Sequence, residues 1–206
     1  MTTAVAVINL GHLALQFGRV NRVTYHEDGV TPESDTDHTV MLGLIACALA
    51  PQVRGDLDVG LVAQYALVHD LVEVYAGDTN TLRLLDADAK ADKDRREQLA
   101  YLRIAEEFAM SMPWLVTTIA DYEGRRTPEA RYVKALDKLL PKITHILNDL
   151  AVIRQQGMSY EELCARYAVQ VDELRAYADD FPALFDLRAE LVGRVLGSLA
   201  SMEAAR

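Results

Sequence analysis

Apolar residues recur at three-to-four spacing through nearly every long segment of this chain, and the period-two alternation of half-buried strands is almost absent. A chain patterned in this way must bury helix stripes against one another, so the expected fold class is all-α. Its 206 residues suffice for one sizeable core, and no linker, internal repeat or low-complexity tract divides them. The expectation is one helical domain over 1-206, with a core over about 5-150 and covering helices over about 159-203.

Turn formers punctuate the pattern. A first helix is expected from about Val5 to Arg19, followed by a loop, "NRVTYHEDGVTPESD", that holds Gly29 and Pro32. A second begins near Thr36, capped by Ser34 or Asp35, and stops before Pro51. A third covers Asp58 to Tyr75 and closes at Gly77 in a left-handed cap. The pattern continues over about 88-110, from Pro113 through "WLVTTIADYE", and over about 128-149, 160-180 and 182-203. Pro141 should kink its segment or end the first half, because it lacks an amide proton and crowds the preceding turn.

With 21 basic against 31 acidic side chains, the formal net charge of -10 repels nucleic-acid backbones and anionic lipid. A phosphorylated ligand would need a metal ion or clustered Arg and Lys to reverse that sign locally. Cys47 and Cys164 lack the spacing of a zinc knuckle or redox pair and read as reduced core residues of a cytoplasmic protein. The apolar N-terminus has no basic flank or cleavage pattern, and no run reaches the roughly 18 apolar residues of a membrane span.

Several polar residues fall on faces that the pattern assigns to the core. His38 lies three and four residues before Met41 and Leu42; His69 follows Tyr65 by four and precedes Val72 by three; Asp137 follows Val133 by four. Asp70 adjoins His69, and Glu73 shares the His69 face one turn on. A single inward histidine is more often a hydrogen-bonded core residue than a ligand. An unpaired buried carboxylate, however, costs several kcal/mol, and Asp137 calls for Lys134, Lys138 or a metal as its partner. Two imidazoles and two carboxylates form a donor set for one divalent ion: Mn, Co, Fe, Ni, Zn or Mg.

The order "PESDTDH", then "HDLVEVYAGD", then "YVKALDKL" resembles the HD-domain metal-dependent phosphohydrolases, in particular their 5'-deoxynucleotidase subgroup, over about 19-140. The resemblance implies that His38, His69, Asp70 and Asp137 hold the metal in an all-α fold. By the same resemblance Glu73 orients or deprotonates a water, Asp78 positions the nucleophile or protonates the leaving ribose oxygen, and Arg22 contacts the substrate phosphate. Lys134, one turn before Asp137, is a second phosphate contact. His12, His26 and His145 have no matching partners, and Trp114 reads as core or lid.

The activity that this resemblance implies is hydrolysis of (deoxy)nucleoside 5'-monophosphates to nucleoside and phosphate, by a chain that pairs as a homodimer. The alternatives are a deoxynucleoside triphosphohydrolase and a non-catalytic metal- or nucleotide-binding module. Two departures bear on the substrate: Val23 stands where the subgroup has a tryptophan, and "TNT" follows Asp78 where relatives have a proline-containing loop.

Overall fold

The computed structural model describes residues 2–205. In chain order its elements are α1 (Thr3–Phe17), β1 (Asn21–Tyr25), β2 (Pro32–Ser34), α2 (Asp35–Val53), α3 (Val59–Val68), α4 (Glu73–Ala76) and α5 (Ala87–Phe108). They continue as α6 (Pro113–Glu123), α7 (Pro128–Asp137), α8 (Leu140–Leu147), α9 (Ala151–Gln155), α10 (Tyr160–Ala178) and α11 (Pro182–Ala204). The all-α expectation holds apart from the first loop, which forms an antiparallel hairpin with Asn21 opposite Ser34 and Tyr25 opposite Pro32. Asp28 Oδ1 accepts the amides of Val30 at 2.9 Å and Thr31 at 2.8 Å, and Gly29 supplies a φ of 69° that other residues rarely adopt.

Ser34 is the cap of α2: its hydroxyl accepts the Asp37 amide while the Asp37 carboxylate accepts the Ser34 amide, a reciprocal pair that fixes where the helix starts. The helix does not stop before Pro51 but runs on to Val53. Pro51 is exposed and sits in the last turn, so water can take the carbonyl it leaves unpaired, and Arg54 N closes the end on Ala50 O at 3.0 Å.

Two helices break where the inward polar residues stand. Past Val68 the expected third helix tightens into turns before resuming as α4. There His69 Nδ1 reaches back to Ala66 O at 2.8 Å, occupying the carbonyl that a continuing helix would offer to the amide of Asp70. Gly77 ends α4 with φ 74° and ψ 150°, which is glycine territory but not the left-handed helical cap expected. The second break follows Asp137. Four residues on, Pro141 has no amide for the Asp137 carbonyl, so α7 ends there and α8 begins afresh with the proline in its first turn.

The core lies in three regions. Leu42, Val62, Tyr65, Tyr132 and Leu136 join α2, α3 and α7 to the start of α11; Val68, Ile104, Phe108 and Ile119 join the end of α3 to α5 and α6; Ile153, Leu163, Tyr167 and Val195 join α9, α10 and α11. Because Tyr65 belongs to the first region and Val68 to the second, the end of α3 lies where they meet. His69 and Asp70 follow at that junction. No helix among the described residues is long and apolar enough to cross a membrane. Cys47 and Cys164 are free thiols, half-buried rather than core.

Candidate metal centre and its cavity

His38 from the first turns of α2, His69 and Asp70 from the break after α3, and Asp137 at the end of α7 meet at one place. One ligand atom from each lies within 4.8 Å of all the others. His38, His69 and Asp137 are buried and Asp70 is largely so. All four expected ligands are thus brought together from stretches of chain far apart in sequence.

The protonation pattern decides whether a cation fits among them. Ala66 O can only accept, so Nδ1 of His69 carries the ring proton and Nε2 presents a lone pair to the cluster. That Nε2 comes within 3.0 Å of Asp70 Oδ2 and 3.9 Å of Asp137 Oδ1, yet makes no hydrogen bond to either. His38 is held similarly, Nδ1 on Glu33 Oε1 at 3.2 Å and Nε2 3.0 Å from Asp137 Oδ1. Lone pairs and carboxylates facing one another in a buried space repel unless a proton or a metal ion sits between them. Imidazoles oriented by a carbonyl or a carboxylate behind them are the usual arrangement around a bound metal. The donor set therefore fits a divalent cation, and one bound here would be held by His38, His69, Asp70 and Asp137.

The electrostatics have the same origin. Burial raises the Asp137 carboxyl and lowers the His38 imidazole, but mutual attraction wins in both: Lys138 and His38 hold Asp137 well below the usual carboxylate range, and hydrogen bonds to Asp137 and Glu33 push His38 up to about 9. Lys138 Nζ, 2.9 Å from Asp137 Oδ2, is the partner cation. Lys134 instead lies 3.6 Å from Glu123 and over the Tyr122 ring.

Arg22 leaves β1 to join two acids, with Nη1 2.7 Å from Asp70 Oδ2 and 3.1 Å from Asp35 Oδ1. It fixes the orientation of Asp70 and bridges to a second acidic group, Asp35, Asp70 and Glu73. Glu73 is buried rather than solvated, and its Oε2 has no hydrogen-bond partner. Burial, with Asp70 and Asp35 close by, pushes its carboxyl up to about 11. Asp35, raised to about 6 by burial and Asp70, is an ion-pair residue and not the helix cap. Its signal was its position three residues before His38, on the same helix face. Glu33, which precedes the helix, had no periodic signal.

Beside the cluster opens a cavity of about 590 Å³ whose wall includes Arg22, Asp78, Lys134, Asp137 and Lys138. Asp78 is half-buried there, raised by burial and countered by Arg22. Cationic side chains outnumber acidic ones on this wall, the reverse of the chain as a whole. Part of α10 also lines it, so that helix is more than a cover. Trp114 is 46% exposed, bonded to Gln64 at 2.7 Å, and lies outside the cavity wall, so it is neither core nor lid.

His145, expected to be incidental, is fully enclosed at the α8 side of the cavity, and burial with Lys142 pulls its imidazole down to about 4. The unfolded chain takes up this proton near pH 6.5 and the folded chain only near pH 4. Stability is therefore full above about 6.5 and falls as pH drops through that window, by up to about 3 kcal/mol. Denaturant melts in chelator at pH 7 and pH 5 should differ by about 2 kcal/mol less in His145→Gln than in wild type. An equal pH response would remove His145 as the cause.

Comparison with known proteins places these features in context. A sequence profile described as "HD domain" matches residues 16–177. A protein named 5'-deoxynucleotidase HDDC2, from Danio rerio, is 32% identical over 111 residues, which are 52% of this chain and 52% of that protein. The match thus spans about half the length of that curated relative. A crystal structure described as a predicted metal-dependent phosphohydrolase from Magnetospirillum magnetotacticum MS-1 superposes with a TM-score of 0.74, covering 95% of this chain and 97% of that one at 24% identity, a likeness of fold.

Proposed function

The chain belongs to the HD-domain family, and from that premise we propose that it is a metal-dependent phosphohydrolase that converts (deoxy)nucleoside 5'-monophosphates and water to nucleosides and orthophosphate. The observation that carries this reading is the meeting of two imidazoles and two carboxylates within 4.8 Å, at the wall of a cation-rich cavity in an acidic protein. The partial likeness to a 5'-deoxynucleotidase supports the choice of substrate.

A divalent ion bound by the four donors would supply Lewis-acid charge and a water acidic enough to attack at neutral pH. Glu33 and the Ala66 carbonyl keep the histidine tautomers that leave Nε2 of each ring to the ligand. Arg22 holds Asp70 in place, and its remaining donors, with Lys134, bind phosphoryl oxygens. With a bound cation offsetting the acidic neighbours that otherwise keep it protonated, Glu73 would ionise and take the proton of the attacking water, and Asp78, facing the cavity, would return one to the departing ribose oxygen. Val23 lines the cavity where the subgroup has a tryptophan, and Tyr25, the other candidate for an aromatic wall at the sugar, bonds Gln155 and is not on the cavity wall, which favours acceptance of ribose as well as deoxyribose. A second copy of the chain would cover the apolar Val7, Ile8 and Leu15 that α1 shows to solvent.

The test is a nucleotide panel with added Mn²⁺, Co²⁺ or Mg²⁺, scored for orthophosphate, pyrophosphate and triphosphate. Orthophosphate from 5'-monophosphates, absent in Asp70→Ala, supports the reading. Release of triphosphate would make the chain a triphosphohydrolase, and turnover no better than Asp70→Ala with any metal would make it a binding module.

A further inference from the structure

The wall between α8 and α10 holds positive charge that nothing in the cluster uses. Lys142 is 2% exposed, and its Nζ donates to Lys138 O at 2.9 Å and lies 4.9 Å from the centre of the Tyr167 ring. Among the described residues no carboxylate pairs with it. Burial, with repulsion from Arg188, Arg166 and Lys138 that outweighs the attraction of Asp137, pulls its ammonium well below the ordinary lysine range. Arg166, its side chain itself mostly buried, reaches Glu173 at 3.5 Å and Thr81 O at 3.0 Å among the described residues.

The same wall collects orphaned polar atoms. His145 Nδ1, Tyr167 Oη and Gln170 Oε1 are buried without a hydrogen-bond partner, and all three residues line the cavity, as do Lys142 and Arg166. Water could satisfy the lone pairs, but water does not neutralise a buried amine flanked by guanidinium groups. An anion does. Its place is more than a helical turn beyond Asp137 along the α7–α8 wall, within the same cavity.

We propose that Lys142 and Arg166, with the Tyr167 hydroxyl, form a second anion subsite that binds a phosphoryl group other than the one cleaved, so that a nucleotide carrying a further phosphate is bound in preference to a plain 5'-monophosphate. This rests on reading the metal cluster as the cleavage site. Phosphate suits the wall: a planar guanidinium fork, an ammonium and a hydroxyl can each donate to a different oxygen. A nucleotide seated between the cluster and α10 then spans both ends of the cavity, and the acidic character of the protein elsewhere does not oppose it.

Calorimetric titration of the full-length chain in chelator, where nothing is hydrolysed, tests the subsite apart from the chemistry. Adenosine 3',5'-bisphosphate or adenosine 5'-diphosphate is expected to bind at least about tenfold more tightly than adenosine 5'-monophosphate. Which of the two does so tells whether the second phosphate sits across the ribose or in line with the first. Lys142→Met and Arg166→Gln should each erase that advantage while leaving monophosphate affinity within about threefold, and Lys90→Gln, at the cavity rim, should not. Lys142→Met without ligand should melt no lower than wild type, since it replaces a buried amine whose charged form burial and the neighbouring cations disfavour. Equal affinity for one and two phosphates, no binding of either two-phosphate ligand at millimolar concentration, an advantage that survives both variants, or a lower melting point in Lys142→Met overturns the proposal. If the advantage disappears in the variants but the metal-loaded protein hydrolyses no nucleotide, the subsite stands and the phosphohydrolase reading falls. Hydrolysis of monophosphates with no such advantage leaves the phosphohydrolase standing and removes the subsite.

Discussion

Asp137→Asn is expected to leave the protein folded but nearly devoid of divalent metal. Asp137 faces both imidazoles, with Oδ1 3.0 Å from His38 Nε2 and 3.9 Å from His69 Nε2. The amide keeps the shape and removes the charge that a cation needs. Loss of an outer partner alone lowers metal affinity by about 10–100-fold, so loss of a ligand should cost at least about 100-fold. Metal content after dialysis against Mn²⁺ should drop from about one ion per chain to below a tenth by the same reasoning. Excess Mn²⁺, which at a hundred times its dissociation constant adds about 2.7 kcal/mol to wild-type stability, should leave the variant's melt unmoved. A variant that still carries one ion per chain would remove Asp137 from the ligand set.

Glu73→Gln is expected to separate binding from turnover. Glu73 is outside the four-donor group but shares the second acidic group with Asp35 and Asp70, and its Oε2, like Asp35 Oδ2, is a buried carboxylate oxygen with no hydrogen-bond partner, but Asp35 is tied to Arg22. Glutamine fills the same volume and cannot take a proton. Hydrolysis of 5'-monophosphates should fall by about 10²–10⁴ with metal content unchanged, the range for removing a positioned general base. If kcat stays within threefold of wild type, proton transfer runs through another group. If metal is lost as well, Glu73 acts as a ligand and its role must be redrawn.

Much of this centre is legible in the sequence, for a physical reason. Helical spacing fixes which residues share a face, and a polar residue on an apolar face needs a partner, so His38, His69 and Asp137 mark themselves. Pro141 likewise foretells a break, because its absent amide falls in the middle of the pattern, whereas Pro51 in the last turn of α2 leaves that helix unbroken. Spacing says nothing about contacts between helices, and there it misses more. Spacing gives no sign that Arg22, besides the phosphate contact expected of it, pairs with Asp35 and Asp70. No spacing singles out Lys142, which is buried with Tyr167 of α10 against it. The hairpin of β1 and β2 escapes notice because its strands are too brief for alternation to show, although Asp28-Gly29 beside Val23 and Tyr25 carries the turn signal.

The four donors stand on segments separated by roughly thirty and roughly seventy residues, so an ion among them would act as a reversible cross-link that closes two long loops at once. Such a tie exists only where the donors meet, so it strengthens the folded chain by its binding free energy and leaves the unfolded chain unconstrained. The ends of α3 and α7, each already released from regular hydrogen bonding, would be the first places to open when the tie is cut. Amide exchange around Asp70 and Lys138 would then quicken on chelation well before the cores of α2 and α11 respond.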